Sequence, residues 1–69
     1  MKKRVIFPNL EAEQARVGIT DSELAMHLKI SRITLLNKKR NGNFYLSEII
    51  SIMNLFNKDF SYIFERKGA

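Results

Sequence analysis

The stretch LAMHLKISRITLL, Leu24 to Leu36, decides how this chain is read. It begins as an amphipathic helix, with Leu24, Ala25 and Leu28 at helical spacing, and breaks at Lys29 to Ser31. It resumes behind Ser31, a residue type suited to the N-cap of a second helix. Two short helices joined by a three-residue turn form a helix-turn-helix unit. Such a pair is too small to bury its own apolar face, so the flanking segments must supply the core.

Working outward, TDSE at Thr20 to Glu23 has the form of a capping box. The Thr20 hydroxyl can accept from the Glu23 N–H while the Glu23 carboxylate reaches back. Helix two therefore starts there and ends at about Leu28. Upstream, Pro8 fits the first turn of a helix that closes at Gly18, so helix one spans roughly 8 to 17. Downstream, helix three runs from its Ser31 cap to about Arg40, before the breaker Asn41-Gly42-Asn43. LSEIISIMNLF then places Leu46, Ile49, Ile50, Met53 and Phe56 on one face of helix four, which Asn57 can close. Asp59 can cap FSYIFER, where Phe60, Ile63 and Phe64 are bulky anchors. The start, Arg4 to Phe7, reads as a short strand or an arm. The expected architecture is a single all-α domain over residues 1–69, five short helices with a central helix-turn-helix at about 20–40. Its expected core is Leu10, Val17, Ile19, Leu24, Ala25, Leu28, Ile30, Leu35, Ile49, Met53, Phe56, Ile63 and Phe64.

Composition excludes several classes of function. With 69 residues and no cysteine, the fold rests on apolar burial alone, and thiolate metal sites are ruled out. His27 is a lone histidine expected on the surface, so neither a metal site nor a catalytic constellation is expected, and no cofactor or small-molecule ligand. No apolar run approaches the roughly 18 residues needed to cross a bilayer, and the first ten residues do not read as a signal peptide, so a cytoplasmic protein is expected.

Charge is informative because it is unevenly distributed. Between Glu23 and Glu48 there is no acidic residue, yet the interval holds Lys29, Arg32, Lys38, Lys39 and Arg40. The rest of the chain balances seven basic residues against seven acidic ones, so the whole net charge of +5 lies in this segment. Such a patch is the electrostatic footprint expected for a phosphate-backbone partner, although Lys38 to Arg40 also complement a helix C-terminus.

Together, ITDSELAMHLKISRITL and the closing NGNFYLSEIISIMNLFN followed by DFSYIFE resemble the phage repressor and Cro-like helix-turn-helix family. The resemblance covers nearly the whole chain. It implies a lambda-repressor-like fold and a transcriptional regulator that binds double-stranded DNA as a homodimer on a pseudo-palindromic site, with helix three in the major groove. Three departures stand out: Lys29 occupies the turn position usually held by glycine, Asp21 the place of a common glutamine, and the span from Ala25 to Gly42 is one residue longer than usual.

The extra residue leaves two registers open. Counted from Ser31, Leu35 is core and Arg32, Ile33, Leu36 and Asn37 face base edges; this is the preferred assignment. Counted from Asn41-Gly42, Leu36 is core and Arg32, Ile33, Thr34 and Lys38 face outward. Arginine suits guanine O6 and N7, and Asn37 suits adenine. The resemblance assigns Thr20, Ser31, Thr34, Lys38, Lys39, Arg40, Asn41 and Asn43 to the phosphate backbone. The alternative function is a protein-interaction module, an antirepressor or antitoxin-like helper on the same fold. A general nucleic-acid helper without groove readout is a third. The aromatic C-terminal helix and the apolar arm Val5 to Phe7 are the candidate dimer surfaces.

Overall fold

A computed structural model describes residues 7–66. Among the described residues five α-helices follow in order: α1 Pro8–Val17, α2 Asp21–Leu28, α3 Arg32–Asn41, α4 Leu46–Phe56 and α5 Phe60–Ile63. The all-α architecture expected from sequence is observed, although α5 is one turn long. Most of the proposed strand or arm at Arg4 to Phe7 lies outside the described residues. Phe7 itself lies in the core.

Local chemistry explains where each helix starts and stops. Pro8 opens α1, where its missing N–H costs no helical bond, and Gly18 closes it at φ 84°. The Thr20 capping box forms, with Thr20 N donating to Glu23 Oε1 at 2.9 Å and Glu23 N to Thr20 Oγ1 at 3.2 Å. Ser31 Oγ accepts from Thr34 N at 3.0 Å to start α3. At α4, Glu48 Oε1 accepts from Tyr45 N at 2.8 Å. Gly42 at φ 78° and Asn57 at φ 55° end α3 and α4 in the left-handed region.

The turn between α2 and α3 is set by Lys29, also left-handed at φ 63°, ψ 39°. The Ile30 N–H then donates to Ala25 O at 3.0 Å, closing the end of α2. A non-glycine residue in this conformation costs on the order of 1 kcal/mol. The turn is therefore as short as the sequence implied, and α3 runs through Asn41.

α2 packs on α3, and α5 packs on both α1 and α4. Leu10, Leu24, Leu35, Ile52 and Ile63 are fully buried at the centre, joined by Phe7, Ala25 and Phe56. Ile19, Leu28, Ile30, Phe44, Met53, Leu55 and Phe64 pack against this cluster. Phe7, Phe44 and Phe64 meet in tilted and edge-on contacts, with centroids 5.3 to 6.1 Å apart.

Three expectations about the core are corrected. Val17 is 46% exposed, because the inward row of α1 (Leu10, Glu13, Gln14) ends one turn earlier. In α4 the inward row is Glu48, Ile52 and Phe56, leaving Leu46 and Ile50 exposed and Ile49 only half-buried. That helix is apolar on most of its circumference, so hydrophobic spacing does not fix its rotation, and the true inward row begins with a charge. Phe7, assigned to an arm, is core because its ring fills the space beside Phe44 and Phe64.

Candidate nucleic-acid interface

α3 carries two opposed faces. Leu35 and Lys39, one turn apart, are buried, and Lys38 flanks them half-buried. Opposite lies the row Ile33, Leu36, Asn37 and Arg40, spaced i, i+3, i+4, i+7 and therefore in line along the helix. Ile33, Asn37 and Arg40 are exposed and Leu36 is half-buried; Arg32 is exposed on the first turn. Full burial of Leu35 with partial exposure of Leu36 matches the register counted from Ser31.

Two residues assigned to the phosphate backbone are turned inward. Lys39 is buried, and its ammonium lies 2.7 Å from Asp21 Oδ1 and 2.9 Å from Glu11 Oε2, with a further hydrogen bond to Gln14 Oε1. The ammonium donates two hydrogen bonds, to Gln14 on α1 and Asp21 on α2, and the Glu11 carboxylate on α1 completes its ion pairing. Gln14 completes the cluster by donating through Nε2 to Asp21 Oδ1 at 3.0 Å and Ile19 O at 3.3 Å. The physical reason for the correction is helical spacing: Lys39 follows core Leu35 by one turn, and its four-carbon stem follows the same face inward. Asp21, which stands where the resembled family commonly has glutamine, is a partner of this lysine.

Lys38 is likewise engaged. Its Nζ lies 3.2 Å from Glu48 Oε1, donates to Asn43 O at 3.2 Å, and sits 4.1 Å from the centre of the Tyr45 ring. Its side chain is 12% exposed. The five cations of the acid-free segment thus divide. Lys38 and Lys39 bind α3 to its neighbours, while Lys29, Arg32 and Arg40 are exposed and make no ion pair among the described residues.

The remaining assigned residues lie on the surface. Thr20, Ser31, Thr34, Asn41 and Asn43 are exposed. Thr20 and Ser31 are occupied locally as caps, and the Ser31 hydroxyl also donates to Thr34 Oγ1 at 2.8 Å. His27 is exposed, and no cluster of metal-ligating side chains occurs among the described residues. No helix among them is long and apolar enough to cross a membrane.

Away from α3, Glu13 is held by Arg16, whose Nε and Nη2 donate to Oε1 at 2.9 and 2.8 Å, and by the Tyr62 hydroxyl, which donates to Oε2 at 3.0 Å. The Arg16 hydrogen bonds, seconded by Tyr62, hold the Glu13 carboxyl below its ordinary value of 4.5 against the opposing effect of burial. The same contact to Glu13 raises the Tyr62 phenol above 10.0.

Sequence reasoning missed the buried polar set of Glu13, Gln14, Lys39 and Glu48. For Lys39 and Gln14 the signal was present, since each lies one turn beyond a core leucine, Leu35 and Leu10. Comparison of the chain with protein-family models, curated proteins and solved structures finds no match.

Proposed function

We propose that this chain is a sequence-specific regulator that binds double-stranded DNA in the manner of phage repressors and Cro, as a homodimer on a pseudo-palindromic site. The observation that carries the reading is the outward face of α3. Arg32, Ile33, Leu36, Asn37 and Arg40 lie side by side on a helix whose opposite face is fixed by Leu35, Lys38 and Lys39. A recognition helix needs this combination of donors and apolar groups on a rigid support, because base edges are distinguished only within hydrogen-bond and contact distance. In this reading α3 occupies the major groove. Arg32 and Asn37 donate to base edges, and Arg40 and Lys29 approach phosphates, with the exposed hydroxyls and amides of Thr34, Asn41 and Asn43 beside them.

Selection of bound sequences from random duplex DNA tests the proposal. One enriched consensus with two-fold symmetry is expected; absence of enrichment at low salt sinks it. A second reading, a protein-interaction module, is favoured by the inward engagement of two of the five cations of the acid-free segment. It predicts that the chain, at micromolar concentration and low salt, retains no duplex of any sequence.

A further inference from the structure

Ile33 is the most conspicuous side chain on the outward face of α3. It is 69% exposed, although a large aliphatic group gains from leaving water. Its setting narrows what could cover it. Arg32 precedes it, Asn37 lies one turn on and Arg40 two turns on along the same row, and no acidic residue occurs from Leu24 to Ser47. Met26, comparably exposed at 74%, lies on α2 one turn from the carboxylate of Glu23 and has no arginine or asparagine on its own row of the helix. A partner for Ile33 must therefore present an apolar group inside a polar, negatively charged surface. In the major groove of duplex DNA one natural group does so, the C5-methyl of thymine, with base-edge acceptors and phosphates around it.

On this basis, and resting on the function proposed above, we infer that Ile33 is a specificity-determining residue that reads a thymine methyl, within a base pair of the position contacted by Arg32. The N-terminal residues of a recognition helix are the ones that contact base edges, and Arg32 and Ile33 both lie on the first turn of α3. Leu36, one turn further and half-buried, backs Ile33 and limits the water that can reach the methyl. The contact works by exclusion of water alone, so it discriminates thymine from uracil, which has the same hydrogen-bonding edge without the methyl.

The experiment replaces each thymine of the selected site singly by deoxyuridine and measures the dissociation constant of the full chain. One thymine per half-site should respond, with binding weakened roughly fourfold, the value of one buried carbon. The Ile33→Ala chain should bind the thymine duplex more weakly and show no difference between thymine and uracil at that position; Ile33→Val should retain most of the discrimination. Because Ile33 is on the surface, thermal melting of both variants should match the parent, which separates readout from folding. If the chain selects a consensus but no uracil substitution weakens binding, or Ile33→Ala leaves the response intact, the inference fails and the DNA reading stands. If Ile33→Ala instead changes self-association of the DNA-free chain in sedimentation, Ile33 belongs to a protein contact and the inference is overturned. A chain that selects no duplex removes both.

Discussion

Substituting Lys39 separates a lysine that holds α3 in place from one that would hold DNA, the partner proposed above. Lys39→Ala removes two hydrogen bonds, to Gln14 and Asp21, and the positive charge that also pairs with Glu11, leaving both carboxylates without their shared cation. Removal of one member of a fully buried ion pair costs about 3 to 5 kcal/mol. Here the Asp21 and Glu11 side chains retain 23% and 41% exposure, so water recovers part of the loss and about 2 to 3 kcal/mol is expected. In a domain of this size that lowers the melting temperature by roughly 10 to 20 °C, measurable by circular dichroism. Lys39→Met keeps the stem in the core and should lose less than half as much. The second readout is the dependence of DNA affinity on salt. Each phosphate contact contributes about −0.9 to the logarithmic slope. Folded Lys39→Met should keep the parental slope, whereas Arg40→Ala should reduce its magnitude by about 0.9 per copy. A parental melting temperature for Lys39→Ala, together with a shallower slope for Lys39→Met, would refute the assignment and return Lys39 to the phosphates.

Further outcomes follow from the same geometry. Lys29→Gly should stabilise the fold by up to about 1 kcal/mol, less the unfolded-state entropy that glycine adds, since φ 63° strains a side chain; chemical denaturation measures it, and a loss would contradict the left-handed turn. Arg32→Ala should cost about 1 to 3 kcal/mol on the selected site and much less on random duplex, and equal losses on both would remove it from base reading. Asp21→Asn should lower stability by about 1 to 2 kcal/mol through Lys39 and the α2 dipole, with the loss diminished in a Lys39→Met background, as a double-mutant cycle reports. Glu13 and Tyr62 set opposite limits with pH. The lowered Glu13 carboxyl contributes stability that is full above about 4.5 and is lost as pH falls through its folded value. The raised Tyr62 phenol contributes stability that is full below about 10 and is lost as pH rises through its folded value. Tyr62→Phe should reduce both the alkaline and the acid limb in a melting-temperature profile.

Element boundaries were legible because the residues that set them act locally. Pro8, the Thr20–Glu23 box, Ser31, Gly18, Gly42 and Asn57 each impose a backbone state through bonds to their immediate neighbours. The rotation of α3 was only half legible: Leu35 and Leu36 were both open as its inward leucine, because Ile33 and Leu36 make the opposite row apolar too, and the full burial of Leu35 decides between them. α4 was misread for the converse reason: isoleucine at 49, 50 and 52, with Met53 and Leu55, satisfies almost any inward direction, and only the partners of Glu48 select one. The inward lysines were hidden by a different logic. A run of three cations looks like a surface feature, and whether a long side chain turns out or in depends on acceptors contributed by α1, α2 and α4, distant in sequence. Sequence spacing leaves the outward row of α3 open between two registers, and it does not give the number of cations left for a partner.

The division of α3 into a held face and a presented face bears on how such a protein could change over time. Lys38 and Lys39 anchor the helix through ion pairs and hydrogen bonds and Leu35 through full burial, whereas Arg32, Ile33, Asn37 and Arg40 are exposed and make no side-chain ion pair or hydrogen bond among the described residues. Surface substitutions remote from such anchors usually alter stability by less than about 0.5 kcal/mol. Descendants of this chain are therefore free to exchange the exposed residues Arg32, Ile33, Asn37 and Arg40 one at a time while the scaffold persists, and under the function proposed above each exchange would change the target. The inward lysines are denied that freedom, since each is matched to acceptors on another helix and changes only in concert with them.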